Sequence, residues 1–294
     1  MSNESIVTNS LGFFGKLPQF PDFIKYRAVA EEFILFDDWL QKGIASAKSK
    51  FGNSWKNLYS NSNNFEFFFP TKQNDNIISG ILFPSEDKSG RQYPFIIFSI
   101  LQNNFFSPNQ AGSLPLVLNS FFYRAKQLFN NVSESTDLNQ ILSEFNKSEF
   151  RLNPVLAAET IFNEYLESTS VKEFISRTRF DNINNNVYEQ TENNSIAINF
   201  RTDDDNNNFD TGFIIYLYTI LFGQTKIFPY IFKTLTADSI VELFLYFNQP
   251  EPTEYVKLIN SRKTTINVFK PLMDVDNINI SLREFLNNQK ANSI

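Results

Sequence analysis

The stretch LGFFGKLPQFPDFIKY, residues 11–26, sets the pattern for the rest of the chain. Pro18 and Pro21 forbid an uninterrupted helix through its middle, because proline lacks an amide donor and restricts the residue before it. Gly12 and Gly15 interrupt the aromatic run in the way that turn residues do. The stretch therefore predicts a short strand, a rigid turn and the approach to the next helix.

The elements that follow the opening stretch show clear periodicities. Residues 28–51 predict a helix, because apolar side chains recur at three- and four-residue steps, with Trp39 beside the apolar stripe. Residues 65–69 predict a strand. Residues 77–83 and 91–101 predict a β-hairpin around a loop rich in turn residues. The second hairpin run is apolar on both faces, so we expect it in the middle of a sheet.

The remaining two-thirds of the chain carry weaker patterns. Helices are predicted at residues 113–131, 136–145, 155–166, 171–179, 238–247 and 282–286. A second hairpin is predicted from residues 195–200 and 213–222, and the apolar run 212–222 is too short to span a bilayer. Residues 226–235 are ambiguous, residues 255–260 fit a helix or a strand, and residues 265–269 predict a strand. The asparagine-rich residues 182–186 and 203–208 predict surface loops.

This order of elements predicts the fold class. Sheet elements, then helices, then sheet elements again indicate a mixed, largely antiparallel α/β sandwich and argue against a doubly wound Rossmann sheet. We expect an N-terminal α/β domain at residues 1–106. A helical middle and a β-containing C-terminal part at residues 107–294 would pack on it, or the whole chain would form one continuous domain.

Two missing residue types exclude much of the common catalytic chemistry. The 294 residues contain no cysteine and no histidine. Disulfides, thiolate nucleophiles, Ser-His-Asp catalysis and zinc sites with cysteine or histidine ligands are therefore excluded. The net charge is −6, and no basic stripe with interleaved aromatic residues favours a nucleic-acid partner. No phosphate-binding glycine loop is present, so we expect no cofactor.

The N-terminal residues predict the location of the protein. They have neither a basic segment nor an apolar segment of the kind that a secretory signal needs. We therefore expect a soluble, cytoplasmic protein without direct insertion into a membrane.

Two cations lie in glycine-containing turns with an acid nearby. Lys16 has Asp22 close in sequence, and Arg91 has Asp87. In the simpler interpretation the acids cap these turns and pair with the cations. In the functional interpretation the segments form a polar patch for a partner protein, with arginine as an anchor. The acidic run at residues 203–205 lacks the calcium-loop pattern and is typical of a solvated loop.

Three sequence blocks follow one another over about the first hundred residues: an aromatic-Gly-Lys-Leu-Pro block, an Asp-x-Trp-Leu element and a hairpin. Their residues are Phe14, Gly15, Lys16, Leu17, Pro18, Asp22, Phe23, Asp37, Trp39, Leu40, Gly80, Pro84, Ser85, Asp87, Gly90, Arg91 and Pro94. In content and order these blocks resemble the TagF family of accessory proteins of bacterial type VI secretion. Pro21 departs from the family, which usually has a glycine before the aspartate, so this turn is expected to differ.

The resemblance implies a non-catalytic regulator. Members of the family are associated with post-translational repression of the secretion apparatus through a forkhead-associated scaffold protein. The alternatives are a structural component of the secretion baseplate or membrane complex, and a hydrolase that uses carboxylates with Lys16 or Arg91. The candidate partner-binding residues are Gly15, Lys16, Pro18, Asp22, Trp39, Pro84, Ser85, Asp87, Gly90 and Arg91.

Overall fold

One eight-stranded sheet runs through the protein, with the strand order β2-β1-β5-β4-β3-β7-β8-β6 and antiparallel pairing between neighbours. The structure is a computed structural model, and it describes residues 11–71, 76–102, 106–148, 150, 152–178, 195–203, 205–224, 226–236, 238–260 and 280–292. The strands are β1 (Leu11–Gly15), β2 (Ile24–Tyr26), β3 (Phe65–Pro70), β4 (Asn76–Phe83), β5 (Phe95–Gln102), β6 (Ser195–Arg201), β7 (Tyr230–Leu235) and β8 (Ile240–Tyr246).

Helices cover both faces of the sheet. They are α1 (Glu31–Phe51), α2 (Trp55–Ser60), α3 (Leu114–Val132), α4 (Leu138–Lys147), α5 (Val155–Ser168), α6 (Val171–Arg177), α7 (Asn207–Leu221), α8 (Tyr255–Ile259) and α9 (Leu282–Asn292). One core packs the sheet against α1, α2 and α8, and the other packs it against α3 to α7 and α9. The predicted α/β sandwich with a largely antiparallel sheet is confirmed.

Local sequence patterns predicted most of the N-terminal elements correctly. In α1 the acidic residues Glu31 and Glu32 lie in the first turn and the basic residues Lys48 and Lys50 in the last, which suits the helix dipole. The predicted hairpin is β4 paired with β5, and β5 lies inside the sheet between β1 and β4. The opening stretch contains one strand more than predicted, because β2 folds back along β1.

Two predictions in the C-terminal part are wrong. The run 213–222 is not a strand but most of the helix α7, which is buried between the sheet and other helices. Residues 238–247 are not a helix, because they contain β8, an inner strand covered on both faces. Burial on all sides removes the polar positions from which a period can be read, so neither periodicity was visible. The strand β6 exists as predicted, but its partner is β8.

The ambiguous segments also take definite forms. Residues 226–235 contain β7, and residues 255–260 contain the short helix α8. The predicted loop at 203–208 leads into α7 at Asn207. The predicted closing helix is present and longer, as α9. The predicted loop at 182–186 and strand at 265–269 lie outside the described residues.

The sheet is continuous between the two halves of the chain. β3 pairs with β7, with Phe67 opposite Phe232 and Glu66 opposite Lys233. The domain division at residues 106 and 107 stays a prediction.

Candidate functional site

The opening turn begins at Gly15, the last residue of β1, where the backbone φ is +143°. A Cβ atom there would lie 2.1 Å from the carbonyl oxygen of Pro94 and 2.7 Å from the Cα of Phe95. Glycine therefore allows β1 to lie directly against the start of β5. The next two residues, Lys16 and Leu17, are buried, so the turn directs its lysine into the protein.

The carboxylate of Asp87 is the centre of this region. Its Oδ2 accepts hydrogen bonds from Lys16 Nζ at 2.8 Å and from Arg91 Nε at 2.7 Å. Its Oδ1 accepts from the backbone amides of Ser89 at 2.9 Å and Arg91 at 3.0 Å. The Asp87 side chain is 0% exposed. Both oxygens are thus occupied by bonds that hold the hairpin tip onto the opening turn.

The same bonds decide the ionisation of Asp87. Burial raises its pKa, but the hydrogen bonds from Lys16, from the amides of Arg91 and Ser89, and from the Arg91 guanidinium together lower it by more. The pKa of Asp87 therefore lies well below its ordinary value. At neutral pH the group is a carboxylate that binds its neighbours and has no proton to give.

The hairpin tip and the opening turn form one continuous surface. Arg91 Nη2 donates to the carbonyl oxygen of Pro21 at 2.7 Å and lies 4.0 Å from Asp22 Oδ1. The backbone amide of Lys88 donates to the carbonyl oxygen of Phe20 at 2.9 Å. The Arg91 side chain is 58% exposed, so it links the two segments and still faces solvent.

The pairing of charges differs in part from the prediction. Arg91 pairs with Asp87, as expected, and Asp87 caps its own turn. Lys16 does not pair with Asp22, because its ammonium reaches Asp87, 71 residues away. Asp22 is exposed, and its Oδ1 accepts the amide hydrogen of Phe23 at 2.8 Å.

An exposed aromatic ring lies beside these charges. Phe23 is 40% exposed, and its ring centroid is 5.0 Å from those of Phe14 and Tyr93. The Lys16 ammonium lies 4.7 Å from the centre of the Phe23 ring, a cation–π distance. We call the surface formed by Asp22, Phe23, Lys25, Lys88 and Arg91 the motif face.

Three other candidate residues line a groove next to the hairpin tip. Pro18, Pro84 and Ser85 border a cavity of about 260 Å³. The backbone amide of Ser85 donates to Tyr59 Oη at 3.1 Å, which fixes one wall. The remaining lining residues are Leu17, Tyr59, Ser60, Glu86, Gln92, Phe129 and Ser133.

The last two candidate residues, Trp39 and Gly90, stabilise the fold and do not offer a side chain to a partner. Trp39 is buried in the core between the sheet and α1, and its Nε1 donates to the Pro250 carbonyl oxygen at 2.8 Å. It does not lie on the motif face. Gly90 has a φ of +77° in the hairpin tip, and its amide donates to the Asp87 carbonyl oxygen at 2.8 Å.

A partly buried charge group at the junction of β3 and β7, with Lys233 buried, Glu66 half-buried and Lys126 exposed, was missed by the sequence reasoning. Glu66 accepts a hydrogen bond from Lys126 Nζ at 2.7 Å and lies 3.7 Å from Lys233 Nζ. Burial raises the pKa of Glu66, but attraction to Lys233 and Lys126 lowers it by more. Burial lowers the pKa of Lys233. A single acid within the aromatic strand FEFFF was the signal that could have indicated this group.

A second buried group, around Asp210, joins the helical elements and was also missed. Asp210 is 0% exposed and accepts hydrogen bonds from Tyr165 Oη at 2.6 Å, Arg177 Nη2 at 2.7 Å and Thr202 Oγ1 at 2.5 Å. Burial and the Asp210 carboxylate raise the pKa of Tyr165. The sequence offered little signal, because Asp210 follows an acidic, asparagine-rich run that is typical of a surface loop.

Acid should destabilise the protein through Glu66 and Asp87. The unfolded pKa values are near 4.5 for Glu66 and 3.8 for Asp87, and both are lower in the folded state. The unfolded chain therefore binds protons first as the pH falls, and this stability is lost progressively below about pH 4.5. Burial raises the pKa of Asp37, which acts in the opposite direction.

Urea unfolding at about pH 7, 5, 4 and 3 measures this loss of stability. In a Glu66→Gln variant the free energy of unfolding should fall less steeply with falling pH. Equal stability at all four pH values would contradict the prediction.

Two further features concern only the part of the chain that the structure describes. Within it, no group of three or more His, Cys, Asp or Glu side chains is placed to hold a metal ion. Within the same residues, no helix has the length and apolarity needed to cross a bilayer.

Comparison with known proteins covers the motif region and the fold. Residues 12–147 match the family model described as TagF N-terminal domain, Type VI secretion system-associated. No curated protein matches the sequence. Three chains of solved structures match, and one is the crystal structure of PA0076 from Pseudomonas aeruginosa PAO1. That likeness has a TM-score of 0.53 and 16% sequence identity, and covers 88% of this chain and 98% of the other. At this identity it shows a shared fold.

Proposed function

We propose that the protein is a non-catalytic repressor, from the premise that residues 12–147 match the model of the TagF N-terminal domain, type VI secretion system-associated. It acts after translation, by binding a component of the secretion apparatus. The proposed partner is an assembly component or the forkhead-associated scaffold of the same system. The cytoplasm is the proposed location.

The motif face supports a binding role. It joins two segments that are far apart in sequence, residues 20–25 and 88–91, in one surface fixed by the Asp87 bonds. Arg91 and Phe23 remain partly exposed on it. Arginine and aromatic side chains dominate the binding energy of many protein interfaces. A rigid surface of this kind suits recognition of a partner with little loss of conformational entropy.

The same geometry weighs against the hydrolase alternative. A general acid or base needs a free lone pair or proton within reach of a substrate. Both Asp87 oxygens already accept hydrogen bonds, and Lys16 is buried against them. Lys16 and Arg91, the two cations that this alternative offers, are thus both engaged with the Asp87 carboxylate.

A structural role in the baseplate or membrane complex is the other alternative. It predicts that the protein is present at fixed stoichiometry in purified secretion apparatus. A repressor would be bound before assembly and absent from the finished apparatus.

Deletion of the gene tests the repressor role in a bacterium with an active type VI system. We expect secretion and sheath firing to increase, and an affinity-tagged copy to recover a secretion component. Unchanged or reduced secretion, with no partner recovered, would refute the proposal.

Arg91→Ala separates binding from folding. The Arg91 side chain is 58% exposed, whereas its partner Asp87 is buried. Because Asp87 keeps its hydrogen bonds from Lys16 and two backbone amides, we expect a loss of about 2 kcal/mol and a fall in Tm of no more than about 8 °C. Binding to the scaffold, measured by calorimetry, should weaken severalfold or more. An unfolded Arg91→Ala variant would show instead that the motif is needed for stability and that the site residues are structural.

A further inference from the structure

We propose that the partner segment bound by the motif face is acidic and carries an apolar side chain that packs on Phe23. This inference rests on the proposed function, because it names the chemistry of the partner at that site. The proposed partner is a segment of a protein. Binding of other anionic partners, such as lipid vesicles or DNA, is measured in the test as a contrary outcome.

The charge around the motif face is opposite to that of the whole chain. Residues 16–27 and 86–91 contain five cations and three acids, a net charge of +2, within a chain of net charge −6. The cations are Lys16, Lys25, Arg27, Lys88 and Arg91, and the acids are Asp22, Glu86 and Asp87. An acidic partner would thus find its most favourable approach here, since complementary charge speeds encounter and fixes orientation.

The positive charge is carried by residues outside the buried pair. Lys16 and Asp87 are both buried and bonded to each other, so their charges cancel and the net charge of the remaining residues is still +2. Lys25 and Lys88 are exposed, and neither forms an ion pair with a described residue. Both ammonium groups can therefore bind a carboxylate without first breaking an internal bond.

Few acidic residues lie near the motif face, and those that do already have hydrogen-bond or charge partners. Asp22 is the acid of the motif face itself, and its side chain is 75% exposed and lies 4.0 Å from Arg91. Behind the face, Asp37 is half-buried and accepts hydrogen bonds from Tyr93 and Gln41. Lys25 and Lys88 are thus the exposed cations of the motif face that form no ion pair with a described residue.

Phe23 supplies an apolar contact in the middle of these charges. Its ring packs against the rings of Phe14 and Tyr93 and lies 4.7 Å from the Lys16 ammonium, so binding costs little side-chain entropy. Val29 and Ile34, 79% and 56% exposed, follow within eleven positions along the chain. An aromatic or aliphatic side chain on the partner would bury the Phe23 ring.

The test uses charge reversal with a matched control. Lys25→Glu/Lys88→Glu changes the motif face. Lys172→Glu/Lys226→Glu makes the same change of net charge on exposed lysines outside the family-matched segment. Phe23→Ala removes the ring, and thermal unfolding verifies that each variant folds.

Fluorescence anisotropy with three short labelled peptides gives the first readout. A peptide of alternating glutamate and phenylalanine should bind, and more tightly than glutamate–serine or lysine–phenylalanine peptides. Its Kd should rise about tenfold in the motif-face double variant and in Phe23→Ala, with no change in the control. It should also weaken between about 50 and 300 mM salt, as screening increases.

Several outcomes would overturn the inference. One is equal binding of the glutamate and lysine peptides. Another is a motif-face double variant that binds as the control does. A third is binding of phosphatidylserine vesicles or duplex DNA as tight as that of the glutamate–phenylalanine peptide, lost in the same variants.

The purified forkhead-associated scaffold separates this inference from the proposed function. If the scaffold binds the wild type and both double variants equally, the acidic contact is refuted and the repressor proposal stands. If the peptides behave as expected but the scaffold does not bind, the scaffold as partner is refuted and the chemistry of the motif face stands.

Discussion

Replacing Asp210 with alanine should lower the free energy of unfolding by about 3–5 kcal/mol, the usual cost of removing one partner from a buried ion pair. Three side chains, from Tyr165, Arg177 and Thr202, donate to this carboxylate. The Arg177 side chain is only 17% exposed. Without Asp210 its guanidinium would be left in a partly dry site without its main counter-charge.

The position of Asp210 explains why the effect should spread. It lies in the first turn of α7, while its partners come from α5, from α6 and from the segment after β6. The carboxylate therefore ties four neighbouring pieces of the C-terminal part together. We expect the whole helical layer to loosen, and a lower urea midpoint at an unchanged or smaller m-value.

Asp205→Ala is the matched control for this prediction. Asp205 is exposed and close in sequence, so its replacement should change stability by no more than about 0.5 kcal/mol. Urea unfolding followed by the fluorescence of Trp39 and Trp55, both buried, measures both variants. An Asp210→Ala protein as stable as the wild type would mean that the network contributes no net stability.

Gly15→Ala should cost about 3 kcal/mol or more, from backbone strain and overlap together. The added Cβ would lie 2.1 Å from the Pro94 carbonyl oxygen. Backbone atoms of a paired strand cannot move aside as a flexible side chain can. The φ of +143° is also one that residues with a Cβ rarely adopt.

The same change should also damage the motif face. Gly15 directly precedes Lys16, whose ammonium holds Asp87 and the hairpin tip. If β1 moves away from β5, that ion pair is stretched or broken. We therefore expect partner binding to be lost together with stability, unlike in Arg91→Ala.

Gly52→Ala is the control that separates strain from overlap. Gly52 also has a positive φ, +49°, but no atom of the described residues lies within 4 Å of the place that an added Cβ would take. Its φ of +49° and ψ of −124° still strain a residue with a Cβ, so its replacement should cost about 1–3 kcal/mol from strain alone, less than the loss at Gly15. Thermal and urea unfolding of both variants measure the loss of stability at each position. Equal losses at Gly15 and Gly52 would refute the role of the contact with Pro94.

Local chemistry explains which parts of the fold could be predicted. Helix α1 has an apolar stripe and favourable charges at its ends, and the β4–β5 hairpin has a turn-rich loop between two β-rich runs. Such signals depend on residues close in sequence. The missed and misassigned elements, α7 and β8, are enclosed by other elements, and their residues carry no polar stripe or alternation.

The candidate site likewise has some features that the sequence predicted and others that required the tertiary structure. The motif blocks indicated the family, the order of elements indicated the α/β sandwich, and closeness in sequence indicated the pairing of Arg91 with Asp87. Each of these signals can be read along the chain without knowing which elements pack together. Only the tertiary structure decided that Lys16 pairs with Asp87, because the sheet order places β1 beside β5 and so brings the opening turn to the hairpin tip. It likewise placed Trp39 in the core and Phe23 in solvent, since burial depends on which elements pack together and not on residue type alone.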